Sequence, residues 1–399
     1  MKRTIIRIGN VADIGRGSSP RPITDKRYFE NGKIPWIKIA DATVSGKYIY
    51  KTKQYVNDLG ASYSRKMKPG TLILSASGSL GIPHFLGVEG CIHDGWIYMD
   101  NIHDIDKQYL YYLLLTMRPY FDNLSYGAAI QNINTTILSK TKIEVPGIQS
   151  QEKIGLMLSA YDNLIENNNK RIKLLEQMAE NLYKEWFVRF RFPGYEDTEF
   201  EDGMPRGWVR EKIGLHYNTC SGGTPSRKHE EYYTEGTIPW VKTGEIKDGI
   251  IIHTDECITE AGIKGSSAKL LPQGAVVMAM YGVNIGMLAY LDSEMTCNQA
   301  CCVFNDKNEI NSRHYLFHYL YSIRDYLLLI GFGAAQQNLS QDLIKKVKIV
   351  IPPAELIKEF DKQKEPLYQT IRALMMQNDK LIKQRDALLP RLMSGKLEV

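Results

Sequence analysis

The chain has 399 residues, with 43% hydrophobic and 24% charged residues, which is ordinary for a soluble globular protein of roughly two to four domains. Its first residues hold too short an apolar stretch for a signal peptide, and runs such as residues 109–115 fall short of a membrane span. Six cysteines are few for this length, which favours free thiols in a reducing, cytoplasmic setting.

The formal net charge of +5 is unevenly distributed along the chain. Residues 1–150 hold 19 Lys and Arg against 12 Asp and Glu, whereas residues 196–352 hold 15 against 20. A basic first part is typical of proteins that bind a polyanion such as DNA. An acidic second part could meet DNA only through a local basic patch.

Several short sequence words occur twice, the second time about 205 residues further along the chain. The pairs are Gly-Ser-Ser-Pro at 17–20 and Gly-Gly-Thr-Pro at 222–225, Ile-Pro-Trp-Ile-Lys at 34–38 and Ile-Pro-Trp-Val-Lys at 238–242, Gly-Ala-Ala-Ile-Gln-Asn at 127–132 and Gly-Ala-Ala-Gln-Gln-Asn at 333–338, and Lys-Ile-Glu-Val-Pro at 142–146 and Lys-Ile-Val-Ile-Pro at 348–352. Because both the words and their order recur, we interpret the chain as two copies of one structural unit.

Each copy begins with a predicted globular head of mixed α/β composition. Strand-like pieces, such as residues 71–75, 275–280 and 345–351, are separated by Gly-rich turns. A helix rich in Tyr and Leu is predicted near residues 107–117 in the first copy and near residues 312–323 in the second.

Each copy ends in a long predicted helix with an apolar stripe. The stripe positions alternate in spacings of four and three and are Tyr161, Ile165, Asn168, Ile172, Leu175, Ala179, Leu182 and Trp186, then Leu367, Ile371, Leu374, Asn378, Leu381, Arg385, Leu388 and Leu392. Roughly four heptads in both copies predict a coiled coil in which the two helices pair antiparallel, so that the heads lie at opposite ends of a rod. The alternative is that each helix packs on its own head.

Two asparagines and one proline interrupt the apolar stripes or lie close to them. Asn168 and Asn378 fall on the predicted seam and could fix its register. Pro366 stands near the start of the second stripe, where we expect it only to kink or shorten the first turn.

The predicted fold is therefore mixed α+β with a pseudo-twofold internal repeat. Its boundaries are a first head at 1–150, a helix at 151–190, a linker and second head at 191–352, and a second helix at 353–399. The linker carries aromatic residues on both sides of an acidic stretch, which we expect to anchor it.

These features together resemble the specificity subunit of type I restriction–modification systems. The resemblance rests on Leu-Tyr-Lys-Glu-Trp-Phe-Val-Arg-Phe at 182–190, on Arg-Asp-Ala-Leu-Leu-Pro-Arg-Leu-Met-Ser-Gly-Lys-Leu at 385–397, on Val145-Pro146, and on the Ile-Pro-Trp and Gly-Ala-Ala-x-Gln-Asn words. In that family each head is a target recognition domain and each is followed by a helical spacer.

The resemblance implies a subunit that recognises a bipartite site in double-stranded DNA without chemistry of its own. Its implied partners are methyltransferase (modification) subunits and a motor–nuclease (restriction) subunit, with no membrane. It implies no cofactor in this chain, while S-adenosylmethionine, ATP and Mg²⁺ are expected in the partner subunits.

The sequence lacks the motifs that a self-contained enzyme would need. The Pro-Pro pair at 352–353 is not followed by the aromatic residue of an adenine methyltransferase, and no phosphate-binding loop occurs. Glu245-Ile246-Lys247 resembles a nuclease fragment, but a turn is favoured because Gly244 precedes it. The rival hypotheses are a two-headed coiled-coil scaffold for a non-DNA ligand and a self-contained nuclease or methyltransferase.

Cys297, Cys301, His314 and His318 match the loose spacing of a Cys2His2 zinc finger. The first copy carries the apolar or aromatic residues Ile92, Trp96, Tyr109 and Leu113 at those places. The comparison between the copies therefore favours core positions over a metal site.

The candidate DNA-binding residues lie in polar loops at matching places of both copies. For the tryptophans the alternative is a core position, for the Gly-rich loops a tight turn, and for the amides a turn cap instead of pairing with adenine. The candidates are Arg16, Ser18, Arg21, Trp36, Lys38, Arg65, Lys66, Ser77, Ser79, Gln131 and Asn132 in the first copy, and Thr224, Arg227, Lys228, Trp240, Lys242, Tyr281, Asn284, Gln336, Gln337 and Asn338 in the second.

Overall fold

The computed structural model describes residues 3–42, 45–125, 132–307, 312–331 and 338–399. The chain divides into a first unit, residues 1–167 with 378–399, and a second unit, residues 168–377. Across the described ranges no helix combines the length and apolarity needed to cross a bilayer.

The first unit contains two sheets, one two-stranded ribbon and several short helices. Its strands are β1 (Arg3–Arg7), β2 (Asp13–Arg16), β3 (Ile34–Ile37), β4 (Tyr48–Ile49), β5 (Tyr55–Val56), β6 (Arg65–Met67), β7 (Leu72–Ser75), β8 (Pro83–Leu86), β9 (Gly90–Ile92), β10 (Trp96–Asp100) and β11 (Lys142–Pro146). Its helices are α1 (Ile39–Ala42), α2 (Asp58–Ser62), α3 (Lys107–Thr116), α4 (Arg118–Ser125) and α5 (Thr135–Lys140), and the long helix α6 (Ile148–Tyr183) continues into the second unit. The sheets have the orders β2-β10-β7-β8-β4 and β5-β3-β9-β6, and β1 pairs with β11.

The second unit repeats this plan. Its strands are β12 (Phe200–Glu201), β13 (Met204–Pro205), β14 (Val209–Lys212), β15 (Tyr217–Ser221), β16 (Ile238–Val241), β17 (Gly249–Ile251), β18 (Cys257–Ile258), β19 (Val276–Ala279), β20 (Leu288–Leu291), β21 (Thr296–Cys297), β22 (Cys301–Asp306) and β23 (Lys348–Ile351). Its helices are α7 (Ile213–His216), α8 (Glu260–Lys264), α9 (Arg313–Ser322), α10 (Arg324–Gly331) and α11 (Gln341–Lys346), and the long helix α12 (Ala354–Met393) returns to the first unit.

The predicted internal repeat is confirmed by strand order and register. The five-stranded sheet β15-β22-β19-β20-β17 has the order of its counterpart in the first unit, and β14 pairs with β23 as β1 pairs with β11. Trp36 pairs in parallel with Cys91, and Trp240 pairs in parallel with Thr296. The copies differ at β6, whose place in the second unit is taken by an isolated bridge between Leu271 and Met295.

The predicted elements in the heads are largely confirmed. The two Tyr- and Leu-rich helices are α3 and α9, and each starts where a side chain, Asp106 or Ser312, accepts a hydrogen bond from the third backbone N–H that follows it. One expectation was wrong: residues 345 and 346 close helix α11, so the strand begins only at Lys348. Two lysines in the last turn favour a helix end, because they complement the negative end of its dipole.

The two long helices pair antiparallel within each unit. In the first unit Arg385 of α12 binds Asp162 of α6 at 2.6 Å, and Ile154 and Leu392 share one core. In the second unit the amide of Asn168 donates to Gln377 at 3.0 Å, so that lower numbers on α6 again meet higher numbers on α12.

The helices pair with each other, as predicted, and each also packs on a head, as the alternative interpretation of the apolar stripes proposed. Leu158 and Met393 are buried in the core of the first unit, and Tyr183 and Phe360 in that of the second. The placement of the heads at opposite ends of a rod stays a prediction.

The expectation that Pro366 shortens a first helical turn was wrong. Helix α12 begins at Ala354, so Pro366 lies in its interior and does not shorten a first turn. Beside it the buried residues are Lys364 and Tyr368, whereas Leu367 is only half-buried.

A buried group that we call the first polar cluster joins the helices to the head in the first unit. It consists of Lys47, Tyr112, Ser159, Asp162 and Arg385. The ammonium of Lys47 donates to the Tyr112 hydroxyl at 3.0 Å and to the Ser159 hydroxyl at 2.9 Å. Asp162 accepts from Tyr112 and from Arg385, so the cluster satisfies its own hydrogen bonds.

The predicted aromatic anchors of the linker are confirmed. After α6 the chain forms a π-helical turn, Lys184–Val188, which turns Trp186 and Phe187 into the second core. The rings of Phe187 and Phe192 lie 6.0 and 5.4 Å from that of Trp208.

Candidate nucleic-acid interface

In the first unit, the loops that carry the candidates are held together by backbone hydrogen bonds. Ser18 N–H donates to Ile92 C=O at 3.1 Å, Ala76 N–H to Gly95 C=O at 2.8 Å, and Ile133 N–H to Ala76 C=O at 3.0 Å. The loops after β2 and β7, the turn between β9 and β10, and the segment before α5 therefore form one surface, which we call the first candidate surface.

Arg16 and Asn132 meet on this surface. The guanidinium of Arg16 donates to the side-chain oxygen of Asn132 at 3.2 Å and to the backbone oxygen of Asp94 at 2.7 Å. The carboxylate of Asp94 pairs with Arg21, and His93 lies 2.9 Å from the same carboxylate. Burial lowers the pKa of His93, and the repulsion of Lys38 lowers it further, whereas the charge of Asp94 raises it. The net pKa lies below the ordinary value, so the ring is mostly neutral at pH 7.

Trp36 supports the surface from below. Its side chain is buried, as one reading of the sequence predicted, so its ring is not available to stack on a base. The ammonium of Lys38 lies 5.0 Å from the ring centroid, a cation–π distance. In the part of the chain that the structure describes, no carboxylate lies within 4 Å of this ammonium, so the charge of Lys38 is available to a phosphate.

The remaining candidates of the first head lie around this centre. Ser18 donates to the backbone oxygen of Tyr63 at 3.3 Å, and the exposed Ser79 follows the half-buried Ser77 in the loop after β7. Arg65 on β6 lies over the ring of Tyr98 at 5.9 Å. Lys66 pairs with Glu89 at 2.6 Å, which neutralises its charge.

The second unit builds an equivalent surface from the same bonds. Gly223 N–H donates to Cys297 C=O at 2.9 Å, Met280 N–H to Ala300 C=O at 2.9 Å, and Leu339 N–H to Met280 C=O at 2.8 Å. We call it the second candidate surface. Trp240 is buried beneath it, and its indole N–H donates to Gly223 C=O at 3.0 Å.

One carboxylate controls the charge of the second candidate surface. Glu256 pairs with Lys242 at 2.8 Å and also with Arg227, whose guanidinium lies 4.0 Å from the ring centroid of Tyr233. The hydrogen bonds from Lys242 and then from Arg227 lower the pKa of Glu256, so it stays ionised near neutral pH.

The first head has no carboxylate at this position. Trp36 N–H donates to the backbone oxygen of Gln54, and Trp240 N–H donates to that of Glu256, both at 3.0 Å, so the two residues are equivalent. The neutral Gln54 leaves Lys38 unpaired, whereas Glu256 neutralises Lys242. This single difference accounts for part of the charge contrast between the heads.

The other candidates of the second head have mixed surroundings. Thr224 donates to Gln299, Lys228 is exposed, and Tyr281 is 36% exposed at the start of the loop after β19. The amide nitrogen of Asn284 donates to the backbone oxygens of residues 243, 244 and 246 at 3.0 to 3.1 Å, so it holds a turn.

The structure describes only part of the two Gly-Ala-Ala-x-Gln-Asn segments that carry the candidate amides. Asn132 is half-buried against Arg16, and Asn338 is exposed. Gln131, Gln336 and Gln337 lie outside the described residues.

Sequence reasoning missed His93, Asp94, Gln299 and Glu256. His93 and Asp94 occupy the turn between β9 and β10, and Gln299 lies in the equivalent turn between β21 and β22. Both copies carry polar residues at this turn, which could have indicated a functional loop, but the turn contains no sequence motif that is repeated in both copies.

The zinc-finger spacing does not assemble a site. Cys297 and Cys301 are buried in one core cluster, while His314 binds Glu365 at 2.8 Å in another region of the second unit. Among the described residues, no three His, Cys, Asp or Glu side chains are placed to hold one metal ion. The turn predicted at Glu245 is confirmed, since residues 243–245 form a 3-10 turn whose last carboxylate accepts from Lys242 N–H.

Comparison with known proteins identifies the family. A family model described as "Type I restriction modification DNA specificity domain" matches the chain twice, at residues 3–177 and 207–380. The chain belongs to this family. It is a type I restriction–modification specificity subunit, and its two domains fit the recognition of a bipartite DNA site.

Named relatives agree with this assignment. The type I restriction enzyme MjaIX specificity subunit of Methanocaldococcus jannaschii is 26% identical over 98% of this chain and 93% of its own length. The HindI specificity subunit of Haemophilus influenzae is 22% identical over 97% of this chain and 98% of its own length. The crystal structure of the type I system S subunit from M. genitalium supports the fold, with a TM-score of 0.65, 16% identity, and coverage of 98% of this chain and 96% of that one.

The shared carboxylate of the specificity subunit gives a testable prediction. Replacing Glu256 with Gln reproduces the first-copy residue and releases Lys242 and Arg227. We expect tighter binding to any duplex and a steeper salt dependence, because each phosphate contact adds about 0.9 to the slope of log K against log salt. Fluorescence anisotropy of a labelled duplex over a series of salt concentrations measures both quantities.

Glu260→Gln is the matched control. Glu260 is also an exposed acidic partner of a lysine in this head, but it pairs on α8 with Lys264. The control should leave the slope unchanged. Weaker binding by Glu256→Gln would instead mean that Glu256 positions the two cations for contacts that they cannot make when released.

Proposed function

We propose that each head of this specificity subunit reads one half of a split DNA site and that the chain itself carries out no chemistry. Two candidate surfaces built by the same backbone hydrogen bonds, one in each head, support this proposal most directly. In the first, Arg16, Lys38 and the Asn132 amide would contact DNA; in the second, Lys228, Tyr281 and the cations held by Glu256 would do so.

The proposal divides these side chains by their chemistry. Arg16 and Lys38 supply positive charge for phosphates, which position a protein on the duplex without reading bases. Side-chain amides such as that of Asn132 can pair bidentately with adenine in the major groove. Asn132 already accepts a hydrogen bond from Arg16, so a base contact would use the amide N–H groups or displace the arginine.

The partners in this proposal are methyltransferase subunits and a motor–nuclease subunit. S-adenosylmethionine, ATP and Mg²⁺ would be bound by those subunits and not by this chain. The long helices α6 and α12, which both run through the two units, are the proposed docking elements for the partners.

Exchange of one head tests the proposal. The core of the first unit includes Leu392 and Met393, so the exchanged segment must combine residues 1–167 with 378–399. Replacing both segments with those of a relative should change one half of the methylated motif and leave the other half unchanged. Methylome sequencing of cells that express the chimera with its partner subunits reads the motif.

The reciprocal chimera, in which residues 168–377 are exchanged, is the control and should change the other half. If either chimera alters both halves together, the heads do not read independently. A chimera that yields no methylation is checked for folding by its melting temperature before it is interpreted.

A further inference from the structure

The second unit contains a cavity of about 540 Å³ between the long helices and the sheet. The helices contribute Glu176 and Lys364, the strands Gly249 and Tyr290, and helix α9 contributes His318. This volume is within the range of small-molecule sites. None of the residues that line the cavity belongs to the second candidate surface.

The internal repeat explains why the cavity exists. Tyr48 pairs with Phe85 as Ile250 pairs with Tyr290, so Gly249 stands where the first copy has Lys47. The Lys47 side chain fills this place in the first unit, whereas a Cβ on Gly249 would meet nothing closer than the Glu176 carboxylate at 4.0 Å. The cavity is thus the space that a lysine side chain occupies in the other copy.

The polar partners of the first polar cluster are also missing here. Helices α3 and α9 begin 206 residues apart, as do α6 and α12, so His318 replaces Tyr112 and Tyr368 replaces Asp162. The carboxylate that neutralises the buried cations of the first unit therefore has no equivalent at this position.

Two polar groups in the cavity are left without partners. His318 is 6% exposed, and neither of its ring nitrogens has a hydrogen-bond partner. Lys364 is 4% exposed, and within the described residues its ammonium has no ion pair within 4 Å. Burial lowers the pKa of Lys364 to about 8, against the opposing charges of Glu176 and Glu365, so it is mostly charged at pH 7. Buried polar groups are rarely left unsatisfied, because each costs free energy.

The neighbouring carboxylates are already paired with other cations or lie beyond ion-pair distance of Lys364. Asp248 pairs with Arg324, and Glu365 pairs with Arg313 at 2.8 Å. Glu176 is more than a third exposed, and its charge raises the pKa of Lys364, but its carboxylate is not within 4 Å of that ammonium. The site therefore has room for one more anion beside Lys364.

The residues that line the cavity indicate which kind of group would carry the anion. Tyr290, Phe317 and Tyr368 line the cavity, and their rings also pack on one another, Tyr290 with Phe317 at 4.4 Å and with Tyr368 at 5.1 Å. An aromatic body packs favourably against such an aromatic wall.

We propose that this cavity binds a small aromatic carboxylate, whose anionic group pairs with Lys364 and accepts a hydrogen bond from His318. The carboxylate takes the role that Asp162 has in the first unit, and the aromatic body lies against the rings. The proposal does not depend on how either head reads DNA.

Benzoate is the probe, tested on the full chain by isothermal titration calorimetry and ligand-observed NMR. It should bind saturably at one site, and benzyl alcohol and acetate should each bind about tenfold more weakly, because each lacks one of the two interactions. Inorganic phosphate is the fourth ligand tested. Preferential binding of phosphate, or no saturable binding of benzoate, would overturn the proposal.

Two variants locate the site. Lys364→Met should weaken benzoate binding about tenfold while raising the melting temperature, because it removes an unpaired buried charge. Gly249→Leu fills the cavity and should abolish binding. Lys362→Met is the control, since Lys362 is an exposed lysine of the same helix that pairs with Glu359, and it should bind benzoate like the unaltered chain. Unchanged binding in Lys364→Met would place benzoate elsewhere and refute the assignment.

Discussion

Inserting one heptad into each long helix should abolish binding to the native split site while both heads remain folded. The chain passes between the units inside α6, at residues 167 and 168, and inside α12, at residues 377 and 378. Insertions at these two points leave the Asp162–Arg385 pair in one unit and the Asn168–Gln377 pair in the other. The seam therefore keeps its phase, because seven residues are two turns of a coiled coil.

The expected size of the effect follows from helix and DNA geometry. Seven residues lengthen a helix by roughly 10 Å at 1.5 Å per residue. Since DNA rises about 3.4 Å per base pair, this equals about three base pairs, or close to a third of a turn. If the helix pair sets the separation of the heads, the second head would then miss its half-site both in distance and in rotation.

The measurement is affinity for duplexes that keep both half-sites and vary only the spacer between them. The double insertion should lose its preference for the native spacer. A spacer longer by about three base pairs should restore binding only in part, because it corrects the distance between the half-sites but turns one relative to the other by about a third of a DNA turn. Insertion into α6 alone is the control, because it shifts one side of the seam and should lower the melting temperature. An unchanged spacer preference in the double insertion would mean that another part of the complex sets the distance.

The sequence predicted the repeated architecture because the repeat made each inference testable within the chain itself. The Ile-Pro-Trp words mark β3 and β16, which occupy the same position in equivalent sheets. The zinc-finger spacing was rejected on the same ground, and the burial of Cys297 and Cys301 agrees with that judgement. The comparison was wrong for the two histidines: α3 and α9 begin 206 residues apart, so His314 and His318 correspond to Gln108 and Tyr112 and not to Tyr109 and Leu113. The burial of Trp36 and Trp240 agrees with the core interpretation of these residues.

The starts of the two long helices were predicted at residues 151 and 353 and lie at Ile148 and Ala354, but the apolar stripes cover only part of each helix. The stripe begins at Tyr161 in the sequence pattern, yet α6 begins at Ile148. The missing turns bury Ile154 and Leu158 against the head and not against α12 alone, so their periodicity follows a different face. Similarly, the first turns of α12 bury Lys364, which no apolar pattern could mark.

The electrostatics of the candidate surfaces could not be derived from the sequence. Counting charges showed that the second copy is acidic overall. The loss of positive charge on its candidate surface, however, depends on Glu256 reaching both Arg227 and Lys242. Glu256 is separated from them by 29 and 14 residues and joins them only through the pairing of β16 with β18. The cavity at Gly249 could not be predicted from the sequence either, since the absence of a side chain produces no recognisable pattern.

Replacing Asp162 with Ala should be among the most destabilising single changes in the first unit. Asp162 accepts from Tyr112 and Arg385, and the ammonium of Lys47 lies 4.0 Å from its carboxylate. Its removal leaves the buried Lys47 without an ion-pair carboxylate and leaves Arg385 with only the exposed Asp386. Breaking a buried ion pair by removing one partner costs about 3–5 kcal/mol. Native-state hydrogen exchange at the amides of α3 measures the free energy of opening for this unit.

Asp386→Ala is the matched control for this change. Asp386 also binds Arg385, at 2.8 Å, but its side chain is 55% exposed. Because exposed ion pairs contribute about 0–1 kcal/mol, the control should change the free energy of opening far less.

A combined variant separates unpaired charge from lost packing. Adding Lys47→Met and Arg385→Leu to Asp162→Ala removes the two cations together with the carboxylate, so no charged group of the first polar cluster remains. Replacing a whole buried ionic group with apolar side chains is often neutral or stabilising, and we therefore expect most of the lost stability to return. If the triple variant is as unstable as Asp162→Ala, the cluster stabilises the unit through its shape and hydrogen bonds, and the second unit tolerates its cavity for a different reason.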